Sequence, residues 1–464
     1  MTHKHSWSNK TAIVIGSSMA GLLAARVLAN YVEQVTLIER DTFPAAGENR
    51  KGVPQGRHAH AVLAHGLQIM EGFFPGLIDT LISAGADYGD ASELARWYHE
   101  GDYHQPAASG INAINISRPH LEAEIRTRLL ALPNLQAWQG CDVLGLLTTP
   151  DSSRVTGVRV IRRRPGSAEE TLSADLVIDA SGRGSRSPAW LADLGYERPP
   201  EESVKIGVNY TSCTYERRPE HMPGVNALIM AASPEDPRVG VLLSQEDNRW
   251  ILTVAAYMGE QIPLDHDGLC AYVRSMASPH LYEVIKDARP LSDPVAHKIP
   301  TNLRRRYDRL RRFPAGYLVI GDALCSFNPI YGQGMSVAAL EAQALGVCLA
   351  GGEHTLAQRF FTRAAQIIDT PWSTAVGNDL RLPAIEGPRT LMTRFINWYI
   401  TRLHRAAHHD ALVSAAFLKV IHLLAPPPSL LHPAVVWRVL RGNLRTAAIT
   451  GHTPQLHPGI QKER

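Results

Sequence analysis

Long apolar runs, not alternation, open this chain. Thr11-Ala12-Ile13-Val14-Ile15 reads as a strand buried on both faces, Leu22 to Asn30 as a helix, and Val35 to Ile38 as a second buried strand. Such a rhythm belongs to parallel sheets with helices packed against them. Strand and helix signals keep alternating through residues 1–90 and 110–195, where Leu176 to Ile178 is a further buried run. Between 200 and 260 the pattern turns to strands alone: Val204 to Tyr215, Asn226 to Ala232, Val239 to Leu243 and Trp250 to Tyr257, with Gln245 to Asn248 as a hairpin turn. A helix is expected over Asp267 to Ala288, and a strand returns at Tyr317 to Ile320. Beyond Pro371 the spacing predicts helices over Thr390 to Ala406, Ala411 to Leu424 and near Pro433 to Leu440, the last after Pro426-Pro427-Pro428.

Glycines stand where the strands end. After Ile15 comes Gly16-Ser17-Ser18-Met19-Ala20-Gly21, and the second strand ends in Glu39. In a strand–turn–helix that binds a dinucleotide, the first glycine makes the tight turn and the last admits close helix packing. An acid about 20 residues on accepts from ribose hydroxyls. Ser18 replaces the middle glycine; it is small and can donate to phosphate. Glu39 would repel a 2′-phosphate, so the turn reads as a site for plain adenosine.

After Ile320 comes Gly321-Asp322-Ala323, then Asn328-Pro329-Ile330-Tyr331-Gly332-Gln333-Gly334-Met335 and a long helical run. Asp322 can accept hydrogen bonds from sugar-alcohol hydroxyls, Gly332 and Gly334 let backbone amides approach a flat ring, and a helix start offers positive potential to an electron-rich one. A third segment, Ala174 to Arg186, is again a strand and a glycine turn, with Ser181 before Gly182 and Asp179 two places earlier.

Together these segments resemble the fingerprints of the flavin monooxygenases that share the para-hydroxybenzoate hydroxylase fold. The run Arg50 to Gly66, Phe73-Phe74-Pro75-Gly76 and Ser117 to Glu122 are similar to the flavin epoxidases of polyether-polyketide biosynthesis and their bacterial relatives. The resemblance spans roughly residues 10–345 and implies FAD. Asp322 would bind the ribityl chain, and the turn from Gly332 through Gln333 and Gly334 to Met335 would lie beside the pyrimidine ring. Gly16, Ser18, Ala20, Gly21, Glu39, Arg40, Arg118, Gly321 and Pro329 complete the expected cofactor contacts. The loop holding Pro54, Gln55, Arg57 and His58 would border the flavin. Where the single-component aromatic hydroxylases read Ala-Asp-Gly, this chain has Ser181 before the glycine, which weakens the case for direct NADPH use.

The fold implied is α/β: a discontinuous Rossmann-like FAD-binding domain (1–90, 110–195 and 300–370), an inserted antiparallel β-sheet substrate domain (91–109 and 196–299) and a helical C-terminal region (371–464). The function implied is insertion of one oxygen atom from O2, through a flavin C4a-hydroperoxide, into a lipophilic polyketide, terpenoid or aromatic substrate by epoxidation or hydroxylation. NAD(P)H would reduce the flavin directly or through a separate flavin- or ferredoxin-type reductase. Epoxidation needs a dry pocket and no base; phenol hydroxylation would gain from one, and Tyr210, Tyr215 and Tyr257 lie on the expected sheet. The alternatives are a prenyl or alkene reductase, a halogenase, although Trp-x-Trp-x-Ile-Pro is missing and only Trp250 stands near, and a non-catalytic flavin binder.

Composition narrows this further. With 464 residues, 45% hydrophobic and 20% charged, the chain can bury a large core in two or three lobes. A net charge of +3 calls for no nucleic acid, and the run Arg304-Arg305-Arg306, Arg309, Arg311, Arg312 is expected as a solvated helix face. Cysteines 141, 213, 270, 325 and 348 form no pattern, which suits a reducing cytoplasm. Ala12 to Ala29 contains Arg26 and the glycine turn, so it is not expected to be a secretion signal. His58, His60 and His65 lack an acidic or cysteine partner at ligand spacing, and no metal is expected. Leu412 to Leu424 is too short to span a bilayer; core packing is expected, with weak membrane-surface contact as the alternative.

Overall fold

The computed structural model describes residues 7–45 and 47–446. Its centre is a parallel sheet of five strands, ordered Tyr317–Val319, Leu176–Asp179, Thr11–Ile15, Gln34–Ile38 and Leu135–Trp138. The runs read as two-faced strands are buried throughout: Ala12 to Ile15 and Leu176 to Asp179 leave almost nothing exposed. The chain builds outward from Thr11–Ile15 on one side, then returns to its other side at Leu176–Asp179. Strand order therefore reverses at Thr11–Ile15, and the crevice at the carboxyl ends of such strands is where open α/β sheets bind ligands.

A second sheet has eight strands, running from Cys325–Ser326 through Val295–Arg305, Glu201–Glu216, Arg249–Ala256, Arg238–Gln245, Ala227–Met230 and Ala95–His99 to Asp102–Tyr103. The Arg238–Gln245 and Arg249–Ala256 hairpin turns through Glu246, Asp247 and Asn248, the last two with positive φ. Cys325–Ser326 follows directly on the Gly321-Asp322 turn, so the large sheet is tied to the flavin-type fingerprint by its own edge strand.

Two expectations are corrected here. The helix expected over Asp267 to Ala288 is two helices, His266–Arg274 and Pro279–Ile285, because Pro279 suits the first turn of a new helix and would cost the first one a backbone hydrogen bond. The arginine run is not a solvated helix face. Arg305 ends a strand, Arg304 is buried and bonds Asp369 at 2.7 Å, and Arg306 bonds Glu202 at 2.9 Å and Asp308 at 2.7 Å. Most of those acids lie far off in sequence, which local patterning cannot show.

The C-terminal helices are Leu391–Ala407, Ala411–Ile421 and Pro433–Thr446; residues 447–464 lie outside the described residues. Pro371 does not end a helix but sits inside Leu356–Asp379. Val413, Phe417, Leu418 and Val420 are buried in a cluster with Leu403, Ala407, Ala64 and Ile111, so the inner face of the Leu412 to Leu424 stretch is core, while Leu412 and Leu424 are exposed. Among the described residues no helix is long and apolar enough to cross a membrane.

Candidate active site

The turns after three parallel strands, at Gly16, Ala180 and Gly321, open into one cavity of ≈ 1120 Å³. Gly16 has φ +94°, and a Cβ there would lie 2.6 Å from the Ala180 carbonyl oxygen; one at Gly21 would lie 1.8 Å from the Gly16 oxygen. Both glycines are therefore forced by the turn and by the close approach of its helix. Gly334 differs: a Cβ there would meet nothing within 4 Å, because Gly334 starts its helix against open cavity.

The helices Met19–Leu28 and Gly334–Ala350 both begin without a side-chain cap or an acid in the first turn. Their first N–H groups remain free for an anion or a carbonyl. Beside the second helix, the buried Gln333 leaves its Oε1 unpartnered among the described residues. Asp322 lies on the cavity wall with its side chain exposed to the cavity, and no described side chain hydrogen-bonds its carboxylate. Burial pushes its pKa up, against Arg118 and Arg183, which pull it down. Two free helix starts, an unsatisfied carboxylate and an orphan amide oxygen fit a group with phosphates, a polyol and a flat polar ring. FAD has all three.

Most residues expected at the cofactor line this cavity. Ser18, Ala20, Glu39 and Arg40 do so at the adenosine end, and Arg118, Pro329, Gly332, Gln333 and Met335 toward the other. Gly21 does not; it packs the helix instead. Of the loop candidates, Gln55 and His58 face the cavity, whereas Pro54 and Arg57 are exposed on the outer side of a short 3-10 turn. Tyr210 and Tyr257 line the cavity, and Tyr215 is buried in a different cluster.

Ser18 has acquired a role of its own. Its hydroxyl accepts from Arg118 Nη2 at 2.8 Å, while Arg118 Nη1 contacts His60 Nε2 at 3.2 Å. Glu39 accepts from the Ser17 amide at 3.0 Å and pairs with Arg50 at 2.9 Å, and Arg50 reaches Glu122 at 2.7 Å. Burial alone would raise the Glu39 pKa, but Arg50, the Ser17 hydroxyl and the Asp41 and Ser17 amides outweigh it and hold the carboxylate ionised. Asp179 is bonded to Ser181 N at 2.9 Å and Ser185 Oγ at 2.6 Å and is fully buried. It staples the third turn and takes no place on the cavity wall.

One residue behind the cavity wall carried no motif. Asp379, at the end of the Leu356–Asp379 helix, accepts from Tyr257 Oη at 2.9 Å, Tyr331 Oη at 2.8 Å, Asn328 Nδ2 at 2.9 Å and Asn302 Nδ2 at 2.6 Å. The only sequence signal is an acid near the end of an amphipathic helix. His58 Nδ1 meets Ser212 Oγ at 2.8 Å, and burial, with His297 and Arg57, holds its pKa down to about 3. His58 is a neutral hydrogen-bonding wall, not a cation.

The far end of the cavity is apolar, with Trp97, Phe417, Val420 and Leu430, and is marked by His99 and His404. His99, His104 and His404 bring ring nitrogens within 4.8 Å of one another. The His99 and His404 rings stack at 4.0 Å and 8°. Lone pairs in parallel, offset planes do not converge on one centre, as metal ligands must. Burial is the chief cause that keeps all three neutral, His99 at about 3. His99 Nε2 has no partner among the described residues.

Glu341 is the single charged residue of the Gly334–Ala350 helix and accepts from Gly321 N at 2.6 Å. Burial pushes its pKa up to about 8, against the pull of that amide. Between the unfolded value near 4.5 and about 8, the folded state binds the extra proton, so stability falls as pH rises through that window. Glu341→Gln is expected to abolish a loss of roughly 3–5 kcal/mol between pH ~5 and ~9. Urea unfolding of both proteins at the two pH values checks it; parallel losses would show that Glu341 does not titrate in this window.

The fold and these turns define a flavoprotein oxidoreductase. Residues 9–356 match the FAD binding domain family model (FAD_binding_3), and the chain belongs to that family. It is 34% identical over 453 residues to Protein Rv3254 of Mycobacterium tuberculosis (strain ATCC 25618 / H37Rv), covering 94% of each chain. It is 25% identical over 357 residues to kynurenine 3-monooxygenase of Salinispora arenicola (strain CNS-205), covering 73% of this chain and 72% of the relative. The solved flavin-dependent brominase Bmp2 superposes with a TM-score of 0.64 at 16% identity, over 95% of this chain and all of that one; at that identity the likeness is one of fold. The monooxygenase class and the FAD fold expected from the fingerprints are thus found, while a special closeness to the polyether epoxidases is not among the findings.

Proposed function

We propose that this member of an FAD-dependent monooxygenase family inserts one oxygen atom into a lipophilic substrate, by epoxidation or hydroxylation, with NAD(P)H as the ultimate electron donor, used directly or through a partner reductase. One observation carries the reading: the cofactor turns open into the same cavity as an apolar chamber walled by Trp97, Phe417, Val420 and Leu430. Bound FAD supplies the activation of O2. The chain's own residues do the rest. The free amides of the two helix starts would hold the pyrophosphate and the ring edge, and Asp322 would take ribityl hydroxyls. Arg118, fixed by Ser18 and His60, places a cation at the cofactor.

Trp97, Phe417, Val420 and Leu430 offer an apolar chamber to the body of a lipophilic substrate. His99 and His404, both uncharged, suit a hydroxyl or carbonyl oxygen at the distal end of the substrate rather than a carboxylate. An apolar chamber of this kind favours an electron-rich alkene or an already activated ring. The test is turnover of FAD-loaded protein under 18O2 with NADH, NADPH or a general flavin reductase, against a panel of terpenoid alkenes, polyketides and phenols. One 18O per product molecule supports the reading. Saturation of a double bond without label would replace it with an alkene reductase.

A further inference from the structure

The Leu391–Ala407 helix is capped at its start, where Thr390 Oγ1 accepts from Thr393 N at 3.1 Å. It is a formed helix, yet its first two turns have no buried side. Leu391 (86% exposed), Met392, Phe395, Ile396 and Trp398 all face solvent, and none of residues 391–398 is buried. The neighbouring Pro433–Thr446 helix repeats this with Trp437 (67%), Leu440 and Leu444 (80%), spaced by three and four residues and so on one face. Isolated exposed leucines are ordinary; a run of this length on two packed helices is not.

Charge selects the occupant. Residues 389–444 hold seven Arg and Lys against one acid, Asp410, whereas the whole chain carries only +3. The remainder of the protein is therefore net acidic. Arg394, Arg405, Arg438 and Arg441 are exposed, and Arg402 stacks on Trp398 at 4.0 Å. Two copies meeting through this face would oppose like charges. An anionic bilayer would receive the aromatic and leucine side chains at its acyl boundary and the guanidiniums at its headgroups.

The same helix forms part of the cavity wall. Ile396, Asn397 and Ile400 line the cavity, and Ile396 is also half exposed outside it. We propose that the Leu391–Ala407 and Pro433–Thr446 helices dock this protein on an anionic lipid surface, bringing the cavity edge at Ile396 to the source of a membrane-dissolved substrate. The surface is not the Leu412 to Leu424 stretch, whose inner face is core.

The test is co-sedimentation of full-length, FAD-loaded protein with vesicles of phosphatidylcholine alone or with about 30% phosphatidylglycerol. Binding to the anionic vesicles is expected, weakened at least about fivefold by ~0.5 M salt. Phe395→Asp/Trp398→Asp, which alters no cavity residue, is expected to weaken it about tenfold or more with flavin content unchanged. Trp437→Asp/Leu440→Asp gives an independent second variant. Absence of binding to anionic vesicles, or binding that both variants leave intact, overturns the proposal. Self-association that these variants abolish, without vesicle binding, would assign the face to a second copy of the chain instead. None of these readouts depends on turnover, so the docking face and the monooxygenase reading can fail separately.

Discussion

Replacing Asp379 by alanine is expected to cost at least about 3 kcal/mol of stability and about 10²-fold in turnover. The carboxylate gathers two phenols and two amides, and Tyr257, Tyr331 and Asn328 all belong to the cavity wall. Without it, these buried donors lose their acceptor and must find water or leave the wall. Asn328 and Tyr331 lie in the turn leading to Gly332 and Gly334, so the loss propagates to where the flavin ring would rest. Asp379→Asn keeps one acceptor oxygen and is expected to fall between the two. Denaturant unfolding, bound-flavin content and steady-state rate check it. A fully stable, fully active alanine variant would show that the network is dispensable.

Arg50→Ala is the second large effect, at roughly 3–5 kcal/mol. Arg50 is almost wholly buried between Glu39 and Glu122. Its removal strands two carboxylates in the interior, and one of them is the acceptor expected for the adenosine ribose. Stability and FAD affinity should drop together, with flavin lost on dialysis. The double variant Arg50→Ala/Glu122→Gln should recover part of the stability, since one stranded charge is gone. If Arg50→Ala retained FAD as tightly as the natural sequence, Glu39 would not be positioned by this ion pair.

The parts of this fold that the sequence displays are those with local causes. Apolar runs mark strands buried on two faces, and Gly16, Gly21, Gly321 and Gly332 sit where the backbone turns or crowds, three of them with positive φ. The β region from Glu201 to Ala256 is legible through its alternation and its Asp247-Asn248 turn. What the sequence hides is long-range pairing. Arg304 meets Asp369, and Asp379 meets Tyr257 across 122 residues; nothing local announces such partners. The His99, His104 and His404 stack is likewise invisible, because it forms only when a C-terminal helix closes over the large sheet. The break at Pro279 was available in the sequence; the exposure of Leu391 to Trp398 was not, because helical periodicity alone does not say which helix end lacks a neighbour.

FAD-loaded protein, reduced without air and mixed rapidly with oxygenated buffer, should show absorbance between about 370 and 400 nm that outlasts reduced flavin and decays faster when a suitable lipophilic substrate is present. A cavity with an apolar chamber beside the cofactor turns predicts that persistence. Immediate return to oxidised flavin with stoichiometric hydrogen peroxide, with and without substrates, would contradict it.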